Sequence, residues 1–278
     1  MSPFITPQQY FREHEGRPKK SFGQNFLIQP KTAENIVKAA ELDPSEVAIE
    51  VGPGLGALTR FILPEVRRLH LVELDRDMIG YLKESVSEFD CEVTIHQKDV
   101  LHFDFEAISR SEGQPLVLLG NLPYNISSPL VFRLLEARSI IKRAVFMVQK
   151  EVGERFAAAP GGGEYGVLSV LLGVYARVSR LYAVGPGQFY PPPKVDSLVV
   201  RIDFEPAIED APPFPFLRSL VNAAFQQRRK TLQNSLRGFV KNAELLERVL
   251  SQNGIDPKRR PETLSPEEFS RLASDLLG

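Results

Sequence analysis

Val47-Ala48-Ile49-Glu50-Val51-Gly52-Pro53-Gly54-Leu55-Gly56 is the stretch that decides how this chain folds. A short apolar run meets three glycines at alternate positions, and a helical pattern, Ala57 to Ile62, follows at once. Strand, glycine turn and helix open a βαβ unit, in which glycine permits the tight turn and lets the backbone approach a ligand closely. The alternation repeats outward from there. Strand-like runs stand at Arg68 to Glu73, Val93 to His96, Leu116 to Leu119 and Ala144 to Val148. Helical patterns stand at Pro30 to Leu42, Asp77 to Ser87 and Pro129 to Ala137. Such an order predicts an α/β fold with a mainly parallel sheet covered on both faces. Val178 to Val184 and Leu198 to Phe204 have no helix-length segment between them, so they are expected to pair as an antiparallel edge.

The acidic, proline-rich stretch Glu205 to Pro215 reads as a linker. Beyond it, Phe216 to Phe225, Thr231 to Val240, Glu244 to Gln252 and Pro266 to Leu277 read as helices. Asn253-Gly254 is a helix stop, and Ser265-Pro266 with Glu268 is a helix start. The expected division is an α/β domain over 1–205 and a small all-α domain over 206–278.

At 278 residues and 43% hydrophobic, the chain has material for a large core, and no apolar run approaches the ~20 residues that span a bilayer. Met1 to Lys20 carries charges and prolines where a signal peptide would be apolar, so it reads as a flexible lead-in to a cytoplasmic protein. A single cysteine, Cys91, excludes an internal disulfide. His14, His70, His96 and His102 lack metal-ligand spacing, so no metal is expected. Net charge is −1, but its distribution is uneven: Phe214 to Gly278 carries +4 and the preceding residues −5. The cations cluster as Arg228-Arg229-Lys230, Arg237, Lys241 and Lys258-Arg259-Arg260. That is a solvated helical surface or a nucleic-acid footprint.

The glycine loop is GxGxG rather than the GxGxxG of dinucleotide sites, and Glu50 stands just before the first glycine. A pyrophosphate prefers positive backbone dipoles there. A carboxylate suits a ligand with a cationic amine, such as a methionine moiety, which favours S-adenosylmethionine over NAD. Glu73 closes the second strand and can accept hydrogen bonds from a ribose diol; otherwise it is a surface acid like Asp75. Asp99 closes the third strand and can accept from an adenine amino group, or it is an ordinary loop residue.

Asn121-Leu122-Pro123-Tyr124 follows the fourth strand directly. On its face it is a proline turn. It also matches what methylation of an adenine N6 amine requires. That nitrogen's lone pair is delocalised into the ring, so acceptors must hold its hydrogens and turn the lone pair toward the methyl donor. The Asn121 side-chain oxygen and a backbone carbonyl fixed by the following proline supply two acceptors, and Tyr124 supplies a stacking face. Catalysis then rests on positioning and oriented dipoles, acting on a base taken out of its stack.

These segments, together with Lys20-Ser21-Phe22-Gly23-Gln24-Asn25-Phe26-Leu27, Gln149-Lys150-Glu151-Val152, Phe189-Tyr190-Pro191-Pro192-Pro193-Lys194-Val195-Asp196-Ser197 and Phe225-Gln226-Gln227-Arg228-Arg229-Lys230-Thr231-Leu232, stand in a fixed order along nearly the whole chain. The chain resembles the bacterial small-subunit ribosomal RNA adenine dimethyltransferase family. The resemblance implies a Rossmann-like S-adenosylmethionine-dependent methyltransferase domain with a helical C-terminal domain that docks on RNA. It implies cofactor contacts from Asn25, Leu27, Gly52, Glu73, Asp99 and Asn121. It implies that Asn121, Leu122 and Tyr124 hold the target base, with Phe189 stacking on the other face. The implied substrate is 16S ribosomal RNA of the small subunit or its precursor, and nothing requires more than a monomer.

Read without the family, FGQNFL is a helix cap with a hydrophobic staple, PPP a rigid turn and Phe189 a core residue. Two other functions share the scaffold: a large-subunit ribosomal RNA resistance methyltransferase, and a non-enzymatic ribosome-assembly or RNA-binding factor. The second would be favoured by loss of Asn121 or of the glycine loop, and both are present.

Overall fold

The computed structural model describes residues 4–19, 22–227 and 230–278. The chain divides into two compact units, Met1–Gly153 with Ser179–Asp203, and Glu154–Val178 with Phe204–Gly278. The elements in chain order are α1 (Pro7–Glu13), β1 (Phe26–Leu27), α2 (Pro30–Ala39), β2 (Val47–Val51), α3 (Thr59–Ile62), β3 (Arg68–Glu73), α4 (Arg76–Ser85), β4 (Glu92–Gln97), α5 (Phe105–Glu112) and β5 (Leu116–Asn121). Then come α6 (Ser127–Glu136), β6 (Ile141–Gln149), α7 (Lys150–Phe156), α8 (Val167–Tyr175), β7 (Arg177–Val184), β8 (Phe189–Tyr190) and β9 (Ser197–Asp203). The chain closes with α9 (Phe214–Phe225), α10 (Leu232–Leu236), α11 (Ala243–Gln252) and α12 (Pro266–Leu277).

A seven-stranded sheet runs β4-β3-β2-β5-β6-β9-β7. From β4 to β6 the pairs are parallel, and β9 lies antiparallel to β6, with Gln149 opposite Ser197. The anticipated mainly parallel α/β sheet with an antiparallel edge is therefore present. β2 and β5 are buried on both faces, which is why they read as continuous apolar runs rather than alternating ones. β8 lies in the connection between β7 and β9 and pairs with β1, setting Leu27 opposite Phe189.

Two local expectations are corrected. The lead-in contains a helix, α1: Thr6 caps it by accepting from the Gln9 amide, Pro7 opens it, and Tyr10 is buried between His14 and Tyr81. The FGQNFL stretch is not a helix cap either. Phe26 and Leu27 form β1, and α2 starts three residues after Leu27, behind Gln29.

The second unit is discontinuous, because Glu154–Val178 belongs to it, where a cut at 205/206 leaves that segment with the first. Its α8, VLSVLLGVY, is apolar nearly all round and needs a core on every side. It packs on α9 and α12, with Gly173 close against Pro266, and Tyr165 donates to the Leu264 carbonyl at 2.8 Å. The proline-rich stretch is fastened rather than loose: Tyr175 donates to the Pro212 carbonyl at 2.6 Å and packs on Phe214, which already belongs to α9. Ser265 and Glu268 form the expected capping box. No helix among the described residues is long and apolar enough to cross a membrane.

Candidate active site

The chain runs from β2 outward to β3 and β4, then returns to place β5 on the other side of β2. Where strand order reverses, the carboxyl ends of the strands leave a crevice, and this is where α/β sheets bind ligands. A cavity of 320 Å³ lies there, lined by Asn25, Leu27, Gly52, Glu73, Asp99 and Asn121, with Leu122 and Tyr124. The strand ends thus bring together residues up to 99 positions apart in sequence. The glycine loop forms one wall. Gly54 and Gly56 have φ of 55° and 76°, and a Cβ on them would lie 3.0 Å and 2.4 Å from the rings of Phe26 and Phe4. Glycine is needed there both for the left-handed turn and for the room.

The acidic residues differ in what they have left to offer. Glu50 is fully buried, accepts from Thr59 Oγ1 at 2.6 Å, and has its carboxyl pushed up to about 8, burial being the main cause. Such a group becomes an anion readily only when a cation arrives beside it. Glu73 Oε1 accepts from the amides of Leu74 and Asp75 at 2.8 and 2.9 Å, and Oε2 accepts from the Gly54 amide at 3.1 Å. Burial raises its pKa against the opposing pull of those three donors. Of about four acceptor positions on a carboxylate, one remains, on Oε2. A ribose diol would therefore share this residue with the glycine loop. Asp99 Oδ1 caps the Leu101 amide at 2.9 Å, while Oδ2 lies 3.3 Å from His102 Nδ1. These acceptors, together with the buried acid, suit a ligand with a cationic tail, a diol and an amino-bearing base.

Three supports were not legible in the sequence. Arg133, on α6, donates to the carbonyls of Val100, Leu101 and Phe103, fixing the loop beyond Asp99. Gln24 Nε2 donates to Asp75 Oδ2 at 2.8 Å. Lys19 Nζ donates to Asp75 and Asp77 at 2.6 and 2.7 Å. The last two pin the FGQNFL segment over the cavity.

At the far end of the crevice, Asn121 Nδ2 donates to the Asn25 carbonyl at 2.8 Å. A carbonyl only accepts, so the amide nitrogen must face Asn25 and Oδ1 faces away. The Leu122 amide donates to the Met147 carbonyl at 3.0 Å, and the Pro123 carbonyl accepts from Ser127 Oγ and the Ile126 amide. The tetrapeptide is held from both sides. Tyr124 is half-buried and shares a 3.0 Å hydrogen bond with Ser197 Oγ. Phe189 is placed differently: it is 3% exposed, packs in the core cluster with Leu27, and does not line the cavity.

The sequence profile of the ribosomal RNA adenine dimethylase family matches residues 16–276. This chain belongs to that family. Among its dimethylase relatives, the ribosomal RNA small subunit methyltransferase A of Syntrophotalea carbinolica is 48% identical over 261 residues, covering 92% of this chain and 96% of the relative. The protein of the same name from Pseudomonas aeruginosa is 44% identical over 270 residues, covering 95% and 96%. Among solved structures, a dimethyladenosine transferase from Plasmodium falciparum superposes with a TM-score of 0.72 at 25% identity, covering 89% of this chain and 95% of that one. The 23S rRNA methyltransferase ErmE superposes with a TM-score of 0.70 at 28% identity, covering 91% and 100%. The dimethylase fold is thus shared between enzymes named for different ribosomal RNAs.

Proposed function

We propose that this protein transfers methyl groups from S-adenosylmethionine to the N6 amine of two adjacent adenines in a 16S ribosomal RNA loop, giving N6,N6-dimethyladenosine. We read it as a cytoplasmic monomer acting on the small subunit or its precursor during biogenesis. The observation that carries the chemistry is the orientation of the Asn121 amide. With Nδ2 spent on the Asn25 carbonyl, Oδ1 is left to accept one N–H of the target amine. The Leu122 carbonyl, stiffened by Pro123, accepts the other. The nitrogen lone pair is thereby turned out of conjugation with the ring.

S-adenosylmethionine, when bound, supplies an electrophilic methyl group on a sulfonium centre. Glu73, Asp99 and the glycine loop are the groups that would hold its ribose, base and backbone-facing parts, and Glu50 the group that would answer its positive charge. Asn25 and Leu27 would close over it. Tyr124 offers a ring face to the extruded base. No side chain need act as a strong base, because a methylated ammonium sheds its proton readily to water. For Phe189, burial beside Leu27 supports a role in shaping the cavity wall from behind rather than in stacking on the base. In the C-terminal region, Lys230, Arg237, Lys241 and Lys258 supply charge for phosphate contacts; Arg228 and Arg229 lie outside the described residues.

The test is nucleoside mass spectrometry on unmethylated small subunits incubated with protein and cofactor. N6,N6-dimethyladenosine at two adjacent positions is expected. The ErmE superposition makes large subunits the natural comparison, and methylation of those alone would replace this reading with the resistance one.

A further inference from the structure

The PPPKVDS motif has so far no chemical task, since Phe189 beside it is in the core. Its last residue reaches the active site. Ser197, the first residue of β9, is fully buried, and its Oγ lies 3.0 Å from the Tyr124 hydroxyl, 73 residues away in sequence. It stands opposite Gln149 at the end of β6, two residues along from Met147, whose carbonyl takes the Leu122 amide. One end of the motif is also fastened there: the Asp196 carbonyl accepts from the Lys150 amide at 2.9 Å. Asn121 and Leu122 are thus tied at the root of the loop, and Tyr124 is tied at the tip of its ring.

We propose that Ser197 is a positioning residue for the methyl transfer, fixing the axis of the Tyr124 ring so that the ring stands where the target base arrives. This rests on the proposed reading of Tyr124 as the stacking residue. A phenol has one polar atom, at the end of the ring axis. A hydrogen bond there restrains the direction of that axis while leaving both faces clear. Because both hydroxyls can donate or accept, the pair needs no charge and no particular protonation state. Tyr124 titrates above its ordinary range, chiefly through burial, so the phenol stays neutral and the bond persists across the working pH range. Ser197 itself touches neither the cavity nor the reacting atoms. Its effect must therefore travel through Tyr124.

That dependence gives the test. Turnover of unmethylated small subunits is measured for the wild type, Ser197→Ala, Tyr124→Phe and the double variant, with S-adenosylhomocysteine affinity and melting temperature recorded for each. Ser197→Ala is expected to lower kcat about tenfold, the worth of one positioning hydrogen bond, with S-adenosylhomocysteine affinity unchanged. Tyr124→Phe keeps the ring but loses the tether, and should fall by the same factor. The double variant should be no worse than either single one. Ser197→Thr, which retains the hydroxyl, should recover most of the loss. If Ser197→Ala costs as much when combined with Tyr124→Phe as it does in the wild type, the hydroxyl pair is not how Ser197 acts and the proposal is overturned. Full turnover by Tyr124→Phe would overturn it equally. A wild-type protein that binds no S-adenosylhomocysteine would instead overturn the functional reading beneath it.

Discussion

Replacing Glu50 by Gln isolates the electrostatic cost of the buried acid. The carboxyl ordinarily titrates at 4.5 and is pushed up to about 8 in the fold. Between those values the native state keeps a proton that the unfolded chain has released. Stability therefore falls as pH rises through the window, by about 1.4 kcal/mol per pH unit and on the order of 5 kcal/mol in all. The contribution is fully present below 4.5 and lost above 8. Gln is nearly isosteric with the protonated acid and can still accept from Thr59 Oγ1, but it does not ionise. Urea denaturation of cofactor-free wild type and Glu50→Gln, from pH 5 to 9, should show the two close together at the acid end. The variant should become progressively the more stable, with the gap levelling off above pH 8. Comparing the two proteins at each pH cancels the other carboxylates. A gap that stays constant with pH would mean that Glu50 ionises normally in the native state, and the account of its burial would be wrong.

The same acid should couple to ligand binding: wild-type affinity for S-adenosylmethionine should rise from pH 6 to 8 in calorimetry, and Glu50→Gln should bind more weakly and lose that rise. Gly56→Ala, whose new carbon would sit 2.4 Å from the Phe4 ring at a φ of 76°, should cost about 2–3 kcal/mol in urea denaturation. Glu73→Gln turns an all-acceptor group into one that also donates, so S-adenosylhomocysteine affinity should fall at least about tenfold by calorimetry. Neutralising Arg228, Arg229 and Lys230 together should weaken small-subunit binding and flatten its dependence on salt in filter-binding assays.

The sheet was legible because its central strands are buried on both faces and each ends in a glycine or a polar residue. The cavity was legible for the same reason: topology sends the ends of β2, β3, β4 and β5 to one crevice, so strand-end residues meet there whatever lies between them. Elements and contacts decided by tertiary burial were not. α8 is apolar all round, so it has no helical stripe to read. α1 is two turns within a charged lead-in, stabilised by Tyr10 finding Tyr81 across 71 residues. His70 and His96 have no recognisable spacing, yet the pairing of β3 with β4 brings His70 Nδ1 within 2.9 Å of His96 Nε2. Arg133 and Ser197 are ordinary surface and strand residues by sequence, and only their partners reveal what they hold. Phe189 shows the converse: a motif position whose burial could be learned only from its neighbours.

Methyl transfer by Asn121→Ala, followed at saturating labelled S-adenosylmethionine on unmethylated small subunits, tests the gripped-amine chemistry most directly. Loss of one oriented acceptor should lower kcat by about a hundredfold or more while cofactor binding remains measurable. Turnover equal to that of the wild type would contradict the assignment of Asn121 Oδ1 to the adenine amine.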